Sequence, residues 1–251
     1  MPGAELTPTL QKYCTLSNGV YFNDKIIKCL GYTAGCLADY YVHVAGNKPD
    51  SDRVAGLRAI CSWMGFARYA SRVPNQLTDS VDALINDSWA GPWRDKRVAK
   101  LARWQAVTNV CYHVMEHPTL CAYIAPKLLP SIDPDKWTWV SCWFWVAFVV
   151  LELRAVEVRL AELRRREQEA KALEAAPGSA TAAEAHDYKS QLTEIRKLRH
   201  FQQGQRLRFW LFLPNAVHWS WGKQGLLPDW AVNLFGIVEG FYGTWLMWHH
   251  S

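Results

Sequence analysis

Apolar side chains recur at intervals of three and four residues over most of the chain, which predicts an all-α fold. Ile26, Leu30, Leu37 and Tyr41 mark the first such stripe, and charged residues occupy the intervening positions. No stretch of useful length alternates with the period of two expected of a half-buried strand. The N-terminal half is therefore predicted to consist of amphipathic helices.

Two segments are apolar enough to be candidate transmembrane helices, residues 137–158 and 226–248. The second would rise roughly 34 Å as a helix, against about 30 Å of hydrocarbon core. Tryptophans cluster at the ends of both segments, where amphipathic rings prefer the headgroup level. The first has a shorter apolar part, so a buried or interfacial helix is its alternative. The chain is therefore interpreted as a membrane-associated helical protein.

The same pattern divides the chain into five regions. They are an irregular N-terminus (1–22), an amphipathic and membrane-proximal helical region (23–129), the first candidate span (137–158), a charged helical loop (159–212) with a flexible break at 175–183, and the second candidate span (226–248). The charged loop is expected to be either an antiparallel helical hairpin or a solvated helix followed by disorder.

Composition narrows the function. The net charge of +5 suits an anionic membrane surface, and no nucleic-acid motif or dense basic tract is present. Seven scattered cysteines without a C-x-x-C pair indicate reduced thiols. Because the chain also lacks the phosphate-binding, nucleophile and dinucleotide motifs, we expect no cofactor, no nucleic-acid partner and no enzymatic activity.

One motif offers an enzymatic alternative. His113, Glu116 and His117 fit the H-x-x-E-H pattern, in which two histidines on one helical face bind zinc and the glutamate acts as a base. Pro118 follows at once and no third ligand is evident, so no metal is predicted. A membrane-embedded zinc hydrolase is kept as an alternative.

The last apolar segment carries a glycine notch and one acid. Gly236, Gly240 and Gly243 are expected to be packing positions, since small residues let helices approach closely in lipid. Glu239 lies midway along the segment, where a carboxylate is unfavourable, so we expect either a functional acid or a neutral glutamate bonded within the helix bundle. It is interpreted as an interface residue, with a pore-lining role in a metabolite channel as the alternative.

Residues near the N-terminus form the candidate membrane-inserting helix. A basic amphipathic helix can lie in the headgroup plane and wedge one leaflet apart, although ordinary core packing is the alternative. The residues assigned to insertion are Lys25, Ile26, Ile27, Lys28, Leu30, Ala34, Leu37 and Tyr41.

Four segments together resemble the peroxin-11 family of peroxisomal membrane proteins. They are NDKIIKCLGYTAGCLADY, GLRAICSWMGFARYASRVPNQL, ARWQAVTNVCYHVMEHPTLCAYI and GIVEGFYGTW. The tryptophan density and the charged insert depart from the pattern and are similar to a divergent glycosomal branch in kinetoplastids.

The resemblance implies an integral protein of the peroxisomal or glycosomal membrane, with both termini in the cytosol. Its implied activity is membrane elongation and organelle proliferation or fission, with a solute-conducting pore as an alternative. The implied partners are membrane lipids, further copies of the chain as a homo-oligomer, and organelle division or biogenesis factors.

Overall fold

The computed structural model describes residues 7–72, 75–174 and 182–250, and these ranges contain eight α-helices and no strand. The helices are α1 (Pro8–Ser17), α2 (Val20–His43), α3 (Asp52–Arg72), α4 (Gln76–Asn86), α5 (Lys96–Ile124), α6 (Pro134–Glu174), α7 (Ala182–Ser220) and α8 (Asp229–His250). The all-α prediction is confirmed.

The N-terminus differs from the expected irregular segment, because α1 lies within it. Thr7 caps this helix through its hydroxyl, which accepts from the Leu10 N–H at 3.5 Å. Pro8 follows in the first turn, where a missing N–H removes no intrahelical bond. Proline therefore starts a helix here instead of preventing one.

Two other prolines, Pro118 and Pro214, lie inside long helices. The α5 helix continues through Pro118 to Ile124, and α7 continues through Pro214 to Ser220. An internal proline removes one backbone hydrogen bond. Extensive packing of α5 on α6, and of α7 on α6 and α8, holds these helices together across the missing bonds.

The first long helix and the last are neighbours in space. The α2 helix packs against α3 and α8, and α8 also contacts α7, which pairs with α6. A small apolar core between α6 and α7 contains Val149, Leu153, Phe209 and Ala216. The bundle is therefore closed by contact between its N-terminal and C-terminal parts.

The charged region is helical on both sides of its predicted break, which falls largely outside the described residues. Within α6, apolar side chains three and four residues apart are buried at Leu153, Val156, Leu160 and Leu163. Glu157 of α6 pairs with Arg206 of α7 at 3.2 Å. These contacts favour the paired-helix interpretation of the charged loop.

A clamp joins α6 to the segment before α5. The Glu162 carboxylate accepts from the backbone N–H groups of Arg94 at 2.9 Å and Asp95 at 3.1 Å. Asp95 in turn caps α5, and bonds from the side chain and backbone N–H of Arg97 lower the pKa of Asp95 to about 2. A buried acid of α6 thus fixes the entry of α5.

One described helix, α6, is long and apolar enough to cross a membrane. Only 28% of the most apolar stretch of this helix is buried within the protein, so most of that stretch faces outward. Among the described helices, α8 does not combine the length and apolar composition needed to cross a membrane, so the second span predicted at 226–248 is not supported. The α8 helix begins at Asp229, later than predicted, and carries Asn233 and Glu239 within it.

Candidate functional site

The polarity of α2 is inverted relative to a water-soluble helix. Asp24, Lys25 and Lys28 are buried, whereas the side chains of Leu30 and Leu37 are 58% and 44% exposed. Tyr40 and Val44 extend the exposed apolar stripe toward the end of the helix. In water such a stripe would be turned inward, so this distribution suits a surface that faces lipid.

The α8 helix repeats the same arrangement. Its exposed side is a stripe of large apolar residues, namely Trp230, Leu234, Val238, Phe241 and Trp245. Its buried side holds Glu239 between Gly236 and Gly243. Two adjacent helices therefore present apolar side chains outward and enclose charges between them.

Glu239 is the centre of the charges between α2 and α8. It is fully buried and accepts from the ammonium of Lys25 at 2.6 Å and from that of Lys28. Arg208 of α7 lies 3.4 Å away from the same carboxylate. An unpaired buried carboxylate would be strongly unfavourable, and these three cations compensate it.

A second group of charges connects α2, α3 and α5. Arg68 donates to both oxygens of Asp24 at 2.9 and 3.2 Å. Arg72 bridges Asp24 at 3.4 Å and Glu116 at 2.8 Å. The two groups meet on α2, where Asp24 and Lys25 are consecutive, so one continuous ionic network links five helices.

The H-x-x-E-H residues do come together, with candidate ligand atoms within 4.8 Å of one another. The His113 Nδ1 lies 3.1 Å from Glu116, and the two histidine rings are stacked. However, Glu116 also accepts from Arg72 and Tyr112. It is therefore engaged as an ion-pair partner and is poorly placed to serve as the base of a hydrolase.

The glycine notch is occupied within the chain itself. A Cβ atom on Gly236 would overlap the Tyr32 ring, and one on Gly240 would overlap the Cys29 sulfur, both on α2. Gly243 faces the aliphatic parts of Arg208 and Lys25. These packing positions serve the α2–α8 and α7–α8 contacts, so the notch is not available to a second copy.

The residues assigned to membrane insertion are divided between two sides of α2. Leu30 and Leu37 lie on the exposed stripe, and Ile26, Ile27 and Tyr41 are half-buried. Ala34 is buried, and so are Lys25 and Lys28, because both lysines turn toward Glu239. The two lysines therefore belong to the ionic network and not to the exposed stripe.

Sequence reasoning missed the partners supplied by α3 and α5. Helical periodicity gives no partner for Arg68 or Arg72, and it singles out Glu116 only as part of the H-x-x-E-H pattern. One signal was available, since Arg68 and Arg72 are four residues apart and share a helical face. Two arginines on one face of α3, together with Asp24 on α2, are the kind of residues that form an ion pair between helices.

Comparison with known proteins agrees with a membrane assignment. The family model described as "Peroxisomal biogenesis factor 11 (PEX11)" matches residues 10–248, which is nearly the whole chain. No curated protein and no solved structure is detectably similar to it.

Proposed function

Because the chain belongs to the peroxisomal biogenesis factor 11 family, we propose that it elongates the peroxisomal membrane by inserting the apolar stripes of α2 and α8 into it. Family membership places the protein in the peroxisomal membrane, in the biogenesis of that organelle and in a family without enzymatic activity. The mechanism by which the membrane changes shape is the part that we propose.

The inverted polarity of α2 carries the proposal. Because Glu239 holds Lys25 and Lys28, and Arg68 and Arg72 hold Asp24, the exposed residues of α2 from Leu30 to Tyr40 are all apolar or aromatic. Because α8 packs against α2, the exposed stripes of the two helices together form a larger apolar surface. Volume added to a leaflet by such a surface favours curvature.

The ionic network gives this surface its rigidity. A single amphipathic helix lying on a membrane is free to tilt and to leave it. Here Lys25 and Lys28 fix α2 to α8, and Arg68 and Arg72 connect it to α3 and α5. We propose that the bundle inserts as one body.

Self-association is also part of the proposal, since many copies are needed to bend a membrane over a long distance. The glycine notch is used inside the chain, so another surface must serve between copies. Division or biogenesis factors that act with the protein are proposed on family membership alone.

The test is tubulation of liposomes by the full-length protein carrying Leu30→Asp or Leu37→Asp. An aspartate in the hydrocarbon costs roughly 3 kcal/mol, so we expect tubulation to be lost. Leu173→Asp is the matched control, because Leu173 is 53% exposed but lies in the charged part of α6. If tubulation persisted in both α2 variants, the insertion mechanism would be wrong.

A further inference from the structure

A cavity of about 480 Å³ opens among α2, α3 and α5 to α8, beside the ionic network. Its volume falls within the ~300–1,000 Å³ of sites for small organic ligands. Family membership assigns no ligand to it. The chemical class of a ligand is therefore inferred from the residues that line the cavity.

The cationic wall consists of Lys28, Arg68 and Arg72. The carboxylates that pair with them, Asp24, Glu116 and Glu239, are not among the residues that line the cavity. The three bases therefore lie between these acids and the cavity. A ligand inside would meet positive charge first on this side.

Positive charge is also in excess in the network. Asp24, Glu116 and Glu239 are joined by ion pairs to five bases, which are Lys25, Lys28, Arg68, Arg72 and Arg208. Burying uncompensated charge is unfavourable, and an anion beside these bases would relieve it. Arg68 uses two of its five N–H donors on Asp24, so donors remain for a ligand.

The wall beside these cations is largely aromatic and apolar, since the Lys28 ammonium lies 4.3 Å from the Phe212 ring centroid and the Arg72 guanidinium 5.7 Å from that of Tyr69. Tyr32, Tyr69, Trp145 and Phe212 line it, together with Met64. At the far end Arg58 accompanies Asp39 and Asp229, so among the described lining residues the acids lie away from the Lys28 end. The cavity therefore offers cations and aromatic surface side by side, away from the acids that line it.

We propose that this cavity binds one amphipathic organic anion. Its carboxylate or phosphate group contacts Arg68 and Arg72, and its apolar body packs on the aromatic side chains. The inference is independent of the proposed membrane remodelling, since it concerns the inner surface of the bundle and not its outer stripes.

Gly65 gives a way to block the cavity without disturbing its charges. It lines the cavity on α3, and a Cβ atom there would have no heavy atom within 4 Å. A leucine side chain would extend into the cavity, whereas alanine would leave room. Gly56 is the matched control, since it has the same open surroundings on the same helix but does not line the cavity.

The experiment measures binding of radiolabelled dodecanoate to the full-length protein in phosphatidylcholine nanodiscs, with empty nanodiscs subtracted. We expect saturable binding of one molecule per chain. Dodecyl phosphate should compete, and dodecanol should compete at least roughly tenfold less well. Inorganic phosphate at the same concentration should not compete. Absence of saturable binding, or equal competition by dodecanol or inorganic phosphate, would overturn the proposal.

The variants separate cavity filling from misfolding. Gly65→Leu should weaken dodecanoate binding at least roughly tenfold, while Gly65→Ala and Gly56→Leu should bind like the unmodified protein. Thermal unfolding of all three reports whether the fold is kept. Unchanged binding in Gly65→Leu, or equal loss in Gly56→Leu, would contradict a site in this cavity.

Discussion

Lys28 of α2 donates to Glu239 of α8, and both side chains are almost completely shielded from solvent. The pair lies under a surface of exposed leucine, tyrosine and tryptophan. Charges inside and hydrocarbon outside are the arrangement expected of a helical bundle whose solvent is lipid. The predictions below concern the residues that maintain it.

Removing Glu239 should harm the fold more than removing either lysine. Glu239→Gln leaves Lys25, Lys28 and Arg208 without their carboxylate, and breaking a buried pair costs about 3–5 kcal/mol. Lys28→Met leaves Glu239 paired with Lys25, so its effect should be smaller. Unfolding in a denaturing detergent measures both.

The control for these variants is Lys223→Met. Lys223 is 78% exposed and pairs with Asp135 at 3.1 Å, so its loss should change the stability by about 0–1 kcal/mol. Equal effects of Glu239→Gln and Lys223→Met would show that the network does not stabilise the bundle.

Filling the glycine notch with a larger side chain should separate α8 from α2. Gly236→Leu forces the Tyr32 ring to move, and overpacking of this kind costs about 1–3 kcal/mol. Gly56→Leu introduces the same side chain where no atom lies within 4 Å and should be tolerated. Disulfide cross-linking between cysteines placed on α2 and α8 reports the separation. Undiminished cross-linking in Gly236→Leu would contradict the assigned contact.

The H-x-x-E-H residues should differ in importance according to their ionic contacts. Glu116→Gln leaves Arg72 and Tyr112 short of a charged acceptor and should destabilise the protein by about 3 kcal/mol. His117→Ala should cost less, since His117 is only partly buried. Unfolding with and without a chelator tests this order. A zinc site would instead make His117→Ala as damaging as Glu116→Gln and the protein sensitive to the chelator.

Glu162→Gln should loosen the segment that precedes α5. The carboxylate accepts two backbone N–H bonds, and hydrogen bonds to a charged group are worth about 1.5–3 kcal/mol each. Hydrogen exchange at the amides of residues 94 and 95 should become faster. Glu169→Gln removes an exposed partner of Arg94 and should leave these two amides protected. Equal exchange in both variants would rule out the clamp.

Helical periodicity was sufficient to predict α2, α3 and the charged parts of α6 and α7, because each carries an apolar stripe or seam of ordinary spacing. It did not reveal which side of α2 faces outward. In water the apolar side of Leu30 and Leu37 would be the core, and only a partner such as Glu239 shows that the other side is buried.

The roles of two prolines and two acids could not be predicted from the neighbouring sequence. Pro118 and Pro214 are helix breakers on local grounds, but packing against neighbouring helices outweighs one missing bond. Glu116 and Glu239 were recognised as unusual, yet their partners lie on other helices far along the chain. Sequence spacing within one helix cannot supply such pairs.

The link between Lys28 and Glu239 joins positions 211 residues apart. Until the ribosome has released α8, Lys25 and Lys28 lack the Glu239 carboxylate, and the side of α2 that contacts Gly236 and Gly240 has no neighbour. Docking of α2 onto α8 therefore follows synthesis of the whole segment between them, and the ionic network closes late in folding.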